Sequence, residues 1–257
     1  MKIVELVAIT HDYKIGGACP ELEPNVKEDT LFTVGGQAIG FFIRELKGDI
    51  TKYLDIANNE LRSKRVPKDE MKRSSGLRDK EKEVLQYSTI IGGVPPRSHM
   101  LRPYATMSSV HQVKTAQTFI KAMLIVATRA EEIIHTIAPE IYNQQAETIN
   151  ANIPLKWRFG RLFTSSISNY NISANFHRDT GNLENCSNVI ITKRKDSTGG
   201  NLFVPDYNLV FDCVDNSMIV YPAWRNVHAV TPIVPTKSGG YRNSLVFYPL
   251  KAFNDLI

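Results

Sequence analysis

Cysteine and tryptophan are scarce in this 257-residue chain, which has three and two of them. Cys19, Cys186 and Cys213 are odd in number and none stands in CxxC spacing, which argues against a disulfide framework or a thiolate zinc site. A reducing, intracellular setting is the expectation. No apolar run approaches the roughly 20 residues that span a bilayer, so no membrane association is expected. The opening MKIVELVAITHDYK is too short and too interrupted by charge for a secretory signal. Repeats and long Pro/Gly/Ser linkers are also missing, so residues 1–257 read as one domain. Nothing in the sequence requires an obligatory protein partner. Charge is close to balanced, with 31 Lys and Arg against 26 Asp and Glu, a net +5. That excess suits a polyanionic partner without specifying one. What is present is an ordinary globular mixture, 42% hydrophobic and 22% charged, which excludes wholesale disorder.

The first sixty residues read as strand and turn, with Leu31–Val34 and Ile39–Ile43 flanking Gly35-Gly36. Residues 62–82 are densely basic and include Arg62, Lys64, Arg65, Lys72 and Arg73. They read either as a solvated face or loop, or as a phosphate-contacting segment, since Lys and Arg neutralise backbone charge whatever the sequence. Residues 113–138 predict a helix. Ala116, Phe119, Ile120, Met123, Leu124 and Ala127 form one apolar stripe, and Pro139 stops or kinks it. Beyond residue 155, short runs rich in β-branched and aromatic residues alternate with turn signals: 161–166, 189–193, 209–214, 218–221, 227–230 and 244–248. Strands so closely spaced mean an antiparallel sandwich or barrel. The fold class is therefore mainly β with packed helices (α+β). A jelly-roll core is expected over 151–257, with a helical or mixed support over 1–150.

Within the β region, His177 and Asp179 stand two apart, so on a strand an imidazole and a carboxylate share one face. His228 follows 51 residues later on another strand-like run and can complete a facial triad. Two His and one carboxylate leave open positions on a metal, the ligand set of non-haem Fe(II) oxygenases. Arg242 lies 14 residues beyond His228, and its planar fork suits the far carboxylate of 2-oxoglutarate. Ser244 shares its strand face and can add a hydroxyl donor. Asn169, on an earlier strand, is a weaker candidate for the same co-substrate.

His177-Arg178-Asp179-Thr180-Gly181-Asn182, then His228-Ala229-Val230-Thr231-Pro232, then Arg242-Asn243-Ser244-Leu245-Val246-Phe247-Tyr248 resemble the TET/JBP family of nucleic-acid-base dioxygenases. The similarity covers about residues 157–252. It implies a double-stranded β-helix that uses Fe(II), 2-oxoglutarate and O2 to oxidise the C5 methyl of a flipped pyrimidine in double-stranded DNA. 5-Methylcytosine would become 5-hydroxymethylcytosine, or thymine would become 5-hydroxymethyluracil. The resemblance makes His177, Asp179 and His228 the iron ligands, and Arg242 and Ser244 the co-substrate anchors. Asn182 corresponds to an asparagine that hydrogen-bonds the target base, and Tyr248 to an aromatic residue beside it. Read from the residues alone, Asn182 is equally a turn residue and Tyr248 a core aromatic. The chain departs from the TET pattern at Leu250, where a base-contacting histidine is expected, and near Phe203, where a co-substrate histidine is expected. A 2-oxoglutarate oxygenase acting on a protein or a small molecule is the alternative reading. A non-catalytic jelly-roll module is a third, and the intact triad with Arg242 argues against it.

Overall fold

The computed structural model describes residues 1–70, 85–96 and 102–254. Strands β1 (Lys2–Glu5), β2 (Thr30–Val34) and β3 (Gln37–Ile43) precede helix α1 (Asp49–Arg62). Next come β4 (Asp69–Glu70), β5 (Tyr87–Val94), β6 (Thr106–Met107), α2 (Gln117–Ile137) and α3 (Pro139–Asn152). The C-terminal part holds β7 (Ser165–Tyr170), β8 (Ala174–His177), β9 (Asn188–Lys195), β10 (Ser197–Gly199) and β11 (Leu202–Val204). It continues with β12 (Leu209–Val210), β13 (Met218–Tyr221), β14 (His228–Val230), β15 (Ile233–Pro235) and β16 (Tyr241–Tyr248).

The large sheet runs β1-β2-β3-β13-β9-β16-β7-β5-β4, with β6 joined to β5. The small sheet runs β12-β11-β14-β8, and β10 pairs with β15. These two facing sheets are the expected jelly-roll core. It is not confined to the C-terminal part, because β1–β3 extend one edge of the large sheet and β5 and β4 the other.

Strand alternation sorts the side chains into two layers. Phe41, Ile43, Val189, Ile191, Met218, Val220, Leu245 and Phe247 face outward, into one apolar cluster with Leu54 and Leu61 of α1 and Phe119 and Met123 of α2. Phe42, Ile190 and Ile219 face inward and meet Leu202, Val204 and Phe211 of the small sheet and its loops. Lys193, on the outer face of β9, is buried, and its ammonium bonds Asp55 of α1 (2.8 Å), Asp215 (2.9 Å) and Asn216 (2.8 Å). That cluster ties α1 to the sheet.

Several expectations need correction. Residues 49–62 are helix rather than strand and turn; Ile50, Leu54, Ala57 and Leu61 form its buried stripe. Pro139 ends the α2 register and opens α3 as its first residue, where its missing N–H costs nothing. The strand expected at 161–166 starts only at Ser165. Before it, Gly160 turns at φ +70°, and the buried Glu131 carboxylate accepts from the N–H groups of Arg161 (2.6 Å) and Leu162 (2.9 Å). Only Leu209–Val210 of the expected 209–214 strand pairs as a strand, because Phe211 turns away to bridge Val26.

Glu131 thus shapes the chain that enters β7. Glu131→Ala leaves two N–H groups without their acceptor and is expected to cost about 1–3 kcal/mol of stability. A urea titration reads this as a lower midpoint with an unchanged slope.

Candidate active site

Strands β8 and β14 are antiparallel neighbours, and their register sets His228 directly opposite His177. The two rings lie 4.2 Å apart. Asp179 follows β8, and its amide donates to the Ala223 carbonyl (3.0 Å), which fixes the turn. Asp179 Oδ1 is 3.5 Å from His177 Nε2 and 3.9 Å from His228 Nε2. The donor atoms of all three lie within 4.8 Å of one another, close enough to hold one metal ion.

Both imidazoles are set for a metal at Nε2. His177 Nδ1 lies 2.7 Å from the Asn175 carbonyl and His228 Nδ1 3.1 Å from the Asn226 carbonyl. A carbonyl only accepts, so each Nδ1 carries the proton and each Nε2 keeps its lone pair. Burial, then the neighbouring His177, pulls the pKa of His228 down to about 4, so its ring is neutral at pH 7. The loop before His228 is braced by Asp206, which accepts from Asn226 Nδ2 (2.8 Å) and the Val227 amide (3.2 Å) and also contacts His11 (2.9 Å).

The other oxygen of Asp179 is held from the opposite side. Asn188 Nδ2 donates to Oδ2 at 2.9 Å and Asn182 Nδ2 at 3.4 Å, while Asn182 Nδ2 also donates to Asn188 Oδ1 at 2.8 Å. Oδ1 therefore stays turned to the histidines.

Strand β16 supplies the far wall. Its inward residues Arg242, Ser244, Val246 and Tyr248 line a cavity of about 280 Å³, together with the three metal-donor residues. Ser244 is in register with Asn169 on β7, which lines the same cavity, as does Asn182. Metal, co-substrate and base candidates thus converge on one space.

Arg242 is only 2% exposed, and its Nε has no hydrogen-bond partner. Among the described residues no carboxylate lies in ion-pair range of it. Burial lowers its proton affinity below that of an ordinary arginine, with Cys213 opposing and Arg194 adding to the effect. Its aliphatic stem runs against Gly200, where a Cβ would come within 3.1 Å of Arg242 Cδ. A buried cation without a counter-ion costs several kcal/mol, and an anionic ligand end-on to the cavity removes that cost. The donor set fits Fe(II), and the unpaired guanidinium fits the distal carboxylate of a 2-oxo diacid.

The described part of the basic segment lies away from the cavity lining. Arg62 stacks over Tyr241, 4.1 Å from its ring centroid. Tyr241 stands at the other end of β16 from Tyr248, roughly 23 Å away at about 3.3 Å per residue. Arg65 pairs with Glu60 at 2.7 Å and Lys64 is exposed. None of the three lines the cavity; Lys72 and Arg73 lie outside the described residues. Phe203 packs on Phe176 and Tyr13, and it is the preceding Leu202 that reaches the cavity. Leu250 forms an antiparallel bridge with Asn182. Sequence reasoning missed Asn188 and Tyr221. Both lie on inward strand positions, so the alternation that located Ser244 from Arg242 was the available signal.

Comparison with known proteins agrees with this geometry. The family model Tet_JBP, described as the oxygenase domain of the 2OGFeDO superfamily, matches residues 96–251. No curated sequence matches the chain. Among solved structures, NgTET1 in complex with 5mC DNA superimposes with a TM-score of 0.59 at 12% identity, over 94% of this chain and 85% of that one. At that identity the likeness is one of fold. A 2OG-Fe(II) oxygenase family protein from Burkholderia pseudomallei (TM-score 0.43, 13% identity) covers 80% of this chain and 93% of its own. A full-length Neurospora crassa protein in complex with alpha-KG (TM-score 0.43, 12% identity) covers 81% of this chain and 75% of its own. Among the described residues no helix is long and apolar enough to cross a membrane.

Arg242→Met separates the two roles of this side chain. Removing an unpaired buried charge is expected to raise the thermal midpoint of the ligand-free protein. The same change is expected to cost about 2–5 kcal/mol of 2-oxoglutarate binding. Scanning calorimetry and isothermal titration check the two halves.

Proposed function

The chain belongs to the Tet_JBP family of 2-oxoglutarate- and Fe(II)-dependent oxygenases, and from that premise we propose that it hydroxylates the C5 methyl of a pyrimidine in DNA, with 5-methylcytosine ahead of thymine. The observation that carries this reading is that a metal-donor triad, a buried arginine with no carboxylate partner among the described residues, and the side chains of Asn182 and Tyr248 share one cavity.

His177, Asp179 and His228 would hold the iron. Arg242 and Ser244, with Asn169 beside them, would hold the distal carboxylate of 2-oxoglutarate. Iron(II), 2-oxoglutarate and O2 together supply the oxidant that turns a methyl C–H into C–OH. The chain's own part is to bind and orient. Both imidazoles are tethered at Nδ1 with Nε2 toward the metal position, and the buried His228 is neutral, so it presents its lone pair without a proton having to leave. Asn188 and Asn182 keep the Asp179 carboxylate from rotating away from the histidines. The apolar side chains Ile167, Ile190 and Val246 wall the cavity and limit water beside the reacting methyl.

A methyl group in the major groove of a duplex cannot reach a metal site enclosed between two sheets. The target base must swing out of the stack, at a cost of a few kcal/mol. Tyr248 would return part of that by contact with the base, and Asn182 would bond its polar edge. Of the basic segment, the described residues Arg62, Lys64 and Arg65 do not line the cavity, so any phosphate contact they make would be outside it.

Nucleoside mass spectrometry tests the reading. Incubated with Fe(II), 2-oxoglutarate, ascorbate and duplex DNA holding both bases, the protein is expected to form 5-hydroxymethylcytosine. Asp179→Ala is expected to form none. Turnover of 2-oxoglutarate without any new nucleoside would redirect the search to RNA, protein or metabolite substrates.

A further inference from the structure

We infer that Asn188 selects cytosine over thymine by fixing which end of the Asn182 amide faces the ligand; this deepens the reading of the cavity given above and rests on it. Asn188 is 2% exposed, at the first position of β9, and lines the cavity beside Asp179.

The orientation follows from donor and acceptor arithmetic. Asp179 Oδ2 only accepts, so the Asn188 group facing it at 2.9 Å is the NH2. That leaves Asn188 Oδ1 as an acceptor, and the Asn182 group 2.8 Å from it must then be the NH2 as well. The same NH2 also faces Asp179 Oδ2. Rotating the Asn182 amide by half a turn would press its carbonyl against two acceptors. Its backbone cannot adjust, because the Asn182 amide donates to the Asp179 carbonyl at 2.9 Å and the residue is bridged to Leu250. Asn182 Oδ1 has no hydrogen-bond partner among the described residues. It is therefore the polar atom that this residue offers to whatever fills the cavity.

Position decides which base atom meets it. Asn182 bonds Asp179, one of the three metal donors, so it stands beside the point where the methyl must be delivered. On a pyrimidine the polar group next to the C5 methyl is the substituent at C4. In cytosine that group is an NH2 donor, and in thymine it is a carbonyl acceptor. An Asn182 carbonyl fixed in this orientation accepts from the cytosine amine and opposes the thymine oxygen. A matched pair of this kind is worth about ten- to a hundredfold in discrimination. Asn188 is a positioning residue in this account, since it acts through Asn182 and Asp179.

Two substitutions of similar size test it. Asn188→Thr keeps a hydroxyl that can donate to Asp179 and accept from Asn182; Asn188→Val has the shape of that threonine and loses both bonds. The first readout is the ratio of 5-hydroxymethylcytosine to 5-hydroxymethyluracil formed from duplexes holding one target base, expressed relative to wild type, which cancels the different costs of opening G·C and A·T pairs. The ratio is expected to fall about tenfold or more in Asn188→Val and to be retained in Asn188→Thr. The second readout needs no turnover. Mn(II) affinity of the metal-free protein, by calorimetry, is expected to weaken about 10- to 100-fold in Asn188→Val only. A merely structural role would lower both products together and leave the ratio unchanged, and that result overturns the inference. So does a wild-type preference for thymine, although the DNA oxygenase reading survives it. Absence of both products from the wild type overturns that reading, and the inference with it.

Discussion

A strand can keep one face in an apolar layer and the other in a polar cavity only while its register never slips by a single residue. Strand β16 carries that constraint for the whole molecule. Leu245 and Phe247 pack among the helices, and Arg242, Ser244, Val246 and Tyr248 line the cavity. A one-residue shift would drive an arginine into the helix layer and a phenylalanine into the site. The register is locked from both sides, by β9 and by β7, and the outward Lys193 on β9 is held in turn by Asp55 of α1. Helix packing on the far side of the sheet thereby determines where the cavity's polar groups stand.

The cavity itself is assembled at an energetic disadvantage. Arg242 is buried with no carboxylate counter-ion among the described residues, and the His177 and His228 rings are pressed to 4.2 Å beside a carboxylate. Neither arrangement is the most stable way to fill that space. Both become favourable when an anion and a divalent cation are present, since the anion meets the guanidinium and the cation lies among three donors. Ligand binding and stability are thus linked through the same side chains.

Part of the site was legible in the sequence because period-2 alternation is a local property: Arg242 with Ser244 needs only a strand to share a face. His177 and Asp179 do come together as expected, but by the turn after β8 rather than by strand alternation, since β8 ends at His177. The pairing of His177 with His228 was not visible from spacing, since it depends on which strands become neighbours. Alternation along β9 could have set Asn188 on the inward face, but not beside Asp179 at 2.9 Å, which depends on where the turn after β8 lies. Helix α1 was passed over because its stripe, Ile50, Leu54, Ala57 and Leu61, is sparse and set among polar residues. Composition located the basic run near residue 62 without its place in the fold, since charge density says nothing of which end of the sheet it will occupy; Arg62 stacks on Tyr241.

The brace behind His228 links distant parts of the chain. Asp206 holds the Asn226–Val227 loop and meets His11, a partner 195 positions earlier in the sequence. Residues 16 and 17 likewise exchange backbone bonds with Phe176, immediately before His177. Contacts of such long sequence separation close late, after loop-closure entropy has been overcome. During synthesis β1 can pair with β2 early, but residues 11–17 must wait for residues 176–206 before they can dock. A nascent or partly folded chain would thus carry the three donor residues before their side chains had been brought together.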